Sequence, residues 1–167
     1  DPTGFVGFAA NPETKELYIF CEFCRTRMLN CDIAEEIKKL GYAKERIRAD
    51  CAEPKSNDDL RRLGITRIVP SVKGRDSILN GIAAISEYRI TVHPDCVNMI
   101  RELSSYVYDD RTNERGQRLP KDSDNHLCDA LRYAFEDVKH FHPRKEEKPV
   151  YRTAEIGGAD LNGGWDV

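Results

Sequence analysis

The chain has 167 residues, 40% of them hydrophobic and 33% charged, which is enough apolar content for one compact domain with a core and excludes a disordered polymer. A net charge of −3 argues against a general nucleic-acid coat, although a carboxylate-rich metal site would itself lower the charge, so DNA stays open as a partner. No apolar run approaches about 18 residues and no charged segment precedes an apolar one at the N-terminus, so a soluble intracellular protein with no membrane association is expected.

In chain order, Gly4-Phe5-Val6-Gly7-Phe8-Ala9-Ala10 and Leu17-Tyr18-Ile19-Phe20-Cys21-Glu22-Phe23 flank the turn-rich Asn11-Pro12-Glu13-Thr14-Lys15, which predicts a hairpin of two strands. Ile33, Ala34, Ile37 and Leu40 recur at helical spacing and stop at Gly41. Strand and helix then alternate: extended over 46–50, helical over 56–63, extended over 67–72, helical over 75–87 and extended over 88–93. Ser56-Asn57-Asp58-Asp59 has the composition of a helix-opening box. Pro94 opens a further helix with Val97, Ile100 and Leu103 on its apolar face. Residues 106–120 form a hairpin or long loop, and a last helix covers 124–139, with Leu127, Ala130, Leu131, Ala134, Phe135 and Val138 on one stripe. Beyond Pro143 the periodicity stops, so the domain is expected over 1–142, followed by a tail or linker over 143–167. The alternation predicts an α/β domain with parallel strands and an antiparallel hairpin at one side.

Cysteines at 21, 24, 31, 51, 96 and 128 lie mostly in apolar segments and are expected to be buried thiols rather than disulfides. Cys21-x-x-Cys24 lacks a second Cys or His pair at finger spacing, which disfavours a zinc site.

Three segments carry candidate chemistry. In Asp50-Cys51-Ala52-Glu53-Pro54-Lys55 a strand ends on a carboxylate, at the place where open α/β sheets gather ligands; a plain turn residue is the alternative. In Asn125-His126-Leu127-Cys128-Asp129-Ala130-Leu131-Arg132-Tyr133, helical geometry puts Asn125, His126, Asp129, Arg132 and Tyr133 on one face, opposite the Leu127 and Leu131 stripe. That face is either a solvated side or a set of ligating and orienting groups. In Val72-Lys73-Gly74-Arg75-Asp76-Ser77, two cations precede a helix N-terminus and offer a place for a phosphate, or simply an exposed basic loop. No GxxxxGK[ST] phosphate loop is present, so no nucleotide is expected in this domain.

Together with Asp1-Pro2-Thr3 and Leu17-Tyr18-Ile19-Phe20-Cys21-Glu22-Phe23, these segments and their order resemble the C-terminal nuclease domain of phage terminase large subunits over about residues 1–138. The resemblance implies a ribonuclease H-like mixed central sheet flanked by helices. It implies an endonuclease that cuts concatemeric double-stranded viral DNA in the host cytoplasm with two Mg²⁺ or Mn²⁺ ions. Asp50 and Asp129 match the family's catalytic, metal-holding carboxylates; Asp1 matches an accessory acidic position, and a leading Asp-x-Gly carboxylate belongs on a strand ahead of it. Hard ions prefer carboxylate oxygen, and two of them about 3.5–4 Å apart serve the attacking and leaving oxygens of a phosphodiester. Lys73 and Arg75 would steady a phosphate, with Lys55 a further DNA contact. His126 would orient Asp129 or a water, or be a hydrogen-bonded structural histidine; Glu53 supports the site or accepts a backbone bond. The implied partners are the terminase ATPase domain, the small terminase subunit and the portal. A resolvase or transposase of the same fold, and a non-catalytic DNA- or portal-docking module, are the rival readings.

Overall fold

The computed structural model describes residues 2–52, 54–72, 74 and 76–139. The expected tail, and with it the boundary at residue 142, lies outside them. The hairpin forms as β1 (Pro2–Asn11) and β2 (Glu16–Thr26), antiparallel, and β5 (Arg89–Val92) adds to β2 in parallel. A second parallel pair joins β3 (Ile47–Ala49) to β4 (Ile68–Pro70). Helices α1 (Asn30–Lys39), α2 (Pro54–Arg62), α3 (Ser77–Ser86) and α4 (Val97–Ser105) fill the connections. Residues 106–120 make the hairpin of β6 (Tyr108–Thr112) and β7 (Arg118–Pro120), and α5 (His126–Ala134) and α6 (Glu136–Lys139) close the described chain. The α/β class, the parallel strand pairs and the antiparallel hairpin are those the alternation predicts, and β1, β2 and β5 form a mixed sheet flanked by helices, as the resemblance implies.

A bulge decides where the core lies. Gly7 pairs with Cys21 but Phe8 with Ile19, leaving Phe20 without a counterpart and reversing the in-out alternation of β2. Leu17 and Ile19 therefore enter one core with Met99, Leu127, Leu131 and Phe135. Phe23, an odd-numbered residue like them, turns to the other side and packs in a second core with Ala34, Ile37, Leu60, Ile65 and Ile68. The same flip aims Cys24 at the first core and Glu22 at α4.

Four details differ from the sequence expectation. Helix α2 begins at Pro54, because proline is pre-organised for a first helical position, so Ser56 lies inside the helix rather than capping it. Helix α4 begins at Val97 and buries Met99 and Glu102; of the face the spacing predicts, Leu103 packs against the first core while Val97 and Ile100 stay exposed. The last helix begins at His126, since Asp124 has a left-handed φ of 49°, and it is interrupted at Phe135. Only Cys96 and Cys128 are buried; Cys31 is exposed, and all six cysteines are free thiols.

Helix α5 packs on β1, β2, β3, α3 and α4. It runs along β1 in the same direction, with Gly4 against His126 and the Phe8 ring 6.3 Å from Phe135. Between β1 and β3 lies an open groove of about 500 Å³, lined by Val6, Phe8, Ile47 and, from α5, Ala130 and Ala134. Among the described residues, β1 has no strand partner besides β2 and β3 none besides β4. No described helix is long and apolar enough to cross a membrane.

Candidate functional site

Asp50 stands one residue past β3 and is exposed. Its Oδ1 accepts the Ala52 N–H at 3.0 Å, and its backbone carbonyl accepts Asn57 Nδ2 at 3.2 Å, so the turn into α2 is tied down on both sides of the carboxylate. Asn57, placed in the opening box by the sequence, is buried and serves this turn. Lys55 is exposed in the first turn of α2. Asp1, Glu53, Lys73 and Arg75 lie outside the described residues.

Asp129 and His126 sit in the first turn of α5, and both are half-buried. The face they share is not solvated: Asn125 and Arg132 on it are each 8% exposed. Arg132 Nη2 donates to Asp129 Oδ1 at 2.8 Å. Burial opposes the Arg132 charge, but the Asp129 carboxylate outweighs it and the guanidinium pKa is raised. Burial, reinforced by the negative charge of Asp129, pushes the Tyr106 hydroxyl up to about 12, so that phenol stays protonated beside the site.

The sequence reading missed the two carboxylates that hold this geometry in place. Glu22 of β2 accepts the N–H groups of Asn98 and Met99 at 2.8 and 2.6 Å, covering the exposed donors at the start of α4. Glu102 of α4 then does the same for α5, its Oε2 accepting Leu127 and Cys128 N–H at 2.8 and 3.1 Å. Buried among apolar groups, Glu102 has a raised pKa, held back in part by those two N–H groups. Its signal in the sequence is an acidic residue three positions after the core residue Met99, on the same helical face.

Asp50 and Asp129 thus come from two elements packed against each other, β3 and α5, and the start of β1 reaches the first residue of α5 at Gly4. A Cβ on Gly4 would lie 2.8 Å from the His126 carbonyl oxygen, so glycine is what lets the strand come that close. The donors are carboxylate oxygens, which suit Mg²⁺ or Mn²⁺ and not a soft metal. No group of three or more His, Cys, Asp or Glu side chains converges on a metal position among the described residues.

The family described as Terminase RNAseH like domain matches residues 1–137. The large terminase subunit of Bacillus phage SPP1 is 34% identical over 145 residues, covering 83% of this chain and 34% of that protein. The PBSX phage terminase large subunit of Bacillus subtilis (strain 168) is 32% identical over 138 residues, or 80% of this chain and 31% of that protein. The chain therefore spans about a third of the length of these relatives. Among solved structures, the g2p (large terminase) nuclease domain from bacteriophage SPP1 with bound Mn matches with a TM-score of 0.74 at 33% identity, over 83% of this chain and 80% of that one. The large terminase of a thermophilic bacteriophage shares the fold, with a TM-score of 0.66 at 23% identity over 83% of this chain and 37% of that one. Fold, motif order and relatives agree: the chain belongs to the ribonuclease H-like nuclease domains of phage terminase large subunits.

Proposed function

We propose that the domain is a divalent-metal-dependent endonuclease that cuts double-stranded DNA during viral genome packaging, with Asp50 and Asp129 as metal-holding carboxylates and Asp1 as an accessory acidic group. The observation that carries the reading is the placement of two hard oxygen donors on the adjoining elements β3 and α5, one exposed and one held by a buried arginine. The manganese bound by the SPP1 nuclease domain supports Mg²⁺ or Mn²⁺ as the cofactor. Bound there, a pair of ions would supply an activated water and charge stabilisation at the leaving oxygen.

The chain's own residues have distinct tasks in this scheme. Asp50 and Asp129 hold position, through the Asp50 turn and the Arg132 bond respectively. His126, at the first residue of α5, orients Asp129 or the attacking water. Lys55, Lys73 and Arg75 bind phosphates of the DNA backbone, which fixes the duplex without reading its sequence. The groove between the open edges of β1 and β3 is the place where the leading Asp-x-Gly strand implied by the resemblance would pair, bringing a further carboxylate to the same sheet. The ATPase domain, small subunit and portal are the proposed partners, in the host cytoplasm.

The test is nicking of supercoiled plasmid in Mn²⁺ or Mg²⁺, by the chain and by a version extended ahead of Asp1. Asp50→Asn and Asp129→Asn are each expected to lower the rate by about a hundredfold or more, the scale of losing one electrostatic stabiliser of a transition state. Unchanged cleavage in both variants overturns the site.

A further inference from the structure

Arg132 lies one helical turn after Asp129 on α5 and is 8% exposed. Its guanidinium carbon sits 4.6 Å from the centre of the Tyr133 ring, and Nη2 donates to Asp129 Oδ1 at 2.8 Å. Its Nε is buried with no hydrogen-bond partner among the described residues. A guanidinium taken out of water with a donor unmet is a poor choice for stability alone, so its position calls for another reason. Gly81 of α3 provides its seat: a Cβ there would lie 2.5 Å from Arg132 Cγ and 2.8 Å from Cδ. Helix α3 thus carries glycine at an interior position, against helix propensity, where the arginine stem lies across it.

The geometry points to Arg132 as a positioning residue that aims the Asp129 carboxylate at a divalent ion, with Gly81 as the seat that holds it in line. The inference rests on the reading of Asp129 as a metal ligand. With Oδ1 engaged by Arg132, Oδ2 is the Asp129 oxygen that would hold the ion. The guanidinium also repels the ion as a like charge. Orientation favours turnover while repulsion weakens ion affinity, so removing Arg132 lowers turnover without weakening ion binding. A residue that only held the fold together would impair both.

The experiment measures Mn²⁺ binding directly by titration calorimetry, and plasmid nicking against Mn²⁺ concentration in a polypeptide that cleaves, with turnover normalised to the folded fraction from circular dichroism. Arg132→Gln is expected to lower kcat by about 10–100-fold, the usual effect of losing a group that orients a metal ligand, while the Mn²⁺ concentration for half-maximal cleavage stays level or falls. Arg132→Lys keeps the charge without the planar fork; it should lose turnover with half-saturation unchanged. Gly81→Ala alters neither Arg132 nor Asp129 covalently and should lower turnover in the same sense. Should Arg132→Gln not fold, the lysine and Gly81 variants decide. Wild-type turnover in these variants, or a half-saturating Mn²⁺ concentration that rises, whether or not turnover falls with it, overturns the assignment. Asp129→Asn separates the two levels. If it binds Mn²⁺ and cleaves as wild type, the reading of Asp129 fails; if it loses Mn²⁺ while the Arg132 and Gly81 variants cleave normally, only the positioning role fails.

Discussion

Glu102 places a carboxylate at 2% exposure and aims it at two backbone N–H groups, those of Leu127 and Cys128, through the same oxygen. Its folded pKa is raised above the ordinary 4.5 by burial, so the native state holds the proton more tightly than the unfolded chain does. The contribution to stability is therefore full below about 4.5 and is lost as pH rises through the folded value. Glu102→Gln keeps an oxygen acceptor for both N–H groups and removes the buried charge. Its melting temperature near neutral pH is expected to equal or exceed that of wild type, with a flatter profile from acid to neutral. Glu102→Ala should melt well below both, because it strands the α5 donors. Equal melting of the glutamine and alanine variants would show that Glu102 does not act as a cap. Sequence alone does not single out Glu102, since an acidic residue in a helix is usually solvated and only packing puts this one inside.

At the scale of elements, β3 is fastened to the end of the last helical segment by charge. Arg48 Nη2 meets Asp137 Oδ1 at 2.7 Å, Arg46 Nε meets Asp137 Oδ2 at 2.9 Å, and Arg48 Nη1 also reaches the Pro70 carbonyl at 3.0 Å. Burial opposes the ionisation of Asp137, but the hydrogen bonds from Arg48 and Arg46 outweigh it and its pKa is lowered from 3.8. The stabilisation is thus present above the unfolded value and is lost as pH falls through the folded one. Arg48→Met is expected to lower unfolding free energy by about 1–3 kcal/mol near neutral pH, the scale of hydrogen bonds to charged groups. Urea denaturation at neutral pH and again below about pH 3.8 checks it: the gap between variant and wild type should narrow in acid, and a gap that stays constant would rule out the ion pair as its source. Because β3 carries Asp50 at its end, this fastening also bears on the site. The alternation of apolar residues marks both β3 and α5, but nothing in it shows that Arg46, Arg48 and Asp137 meet across about ninety residues of chain.

Across the whole molecule, Phe135 is where the layers converge. It is 1% exposed, stands edge-on to Tyr88 at 5.0 Å and tilts against Phe8 at 6.3 Å, linking α5 to β1 and to the approach to β5. Phe135→Ala should cost about 3–5 kcal/mol, read as a fall in the urea midpoint, with cleavage declining only as the folded fraction does. A loss of cleavage in fully folded variant would instead place Phe135 close to the chemistry. By itself, the sequence determined the succession of strands and helices, the α/β class, and the candidacy of Asp50, His126 and Asp129, because hydrophobic period, turn residues and motif wording are local properties of the chain. Tertiary structure alone decided which helix faces are covered, since a one-residue bulge at Phe20 redirects β2 between two cores and a left-handed Asp124 delays the start of α5. It alone brought Arg132 over Gly81 and Glu102 under α5, because buried charges find partners by packing between elements far apart in sequence.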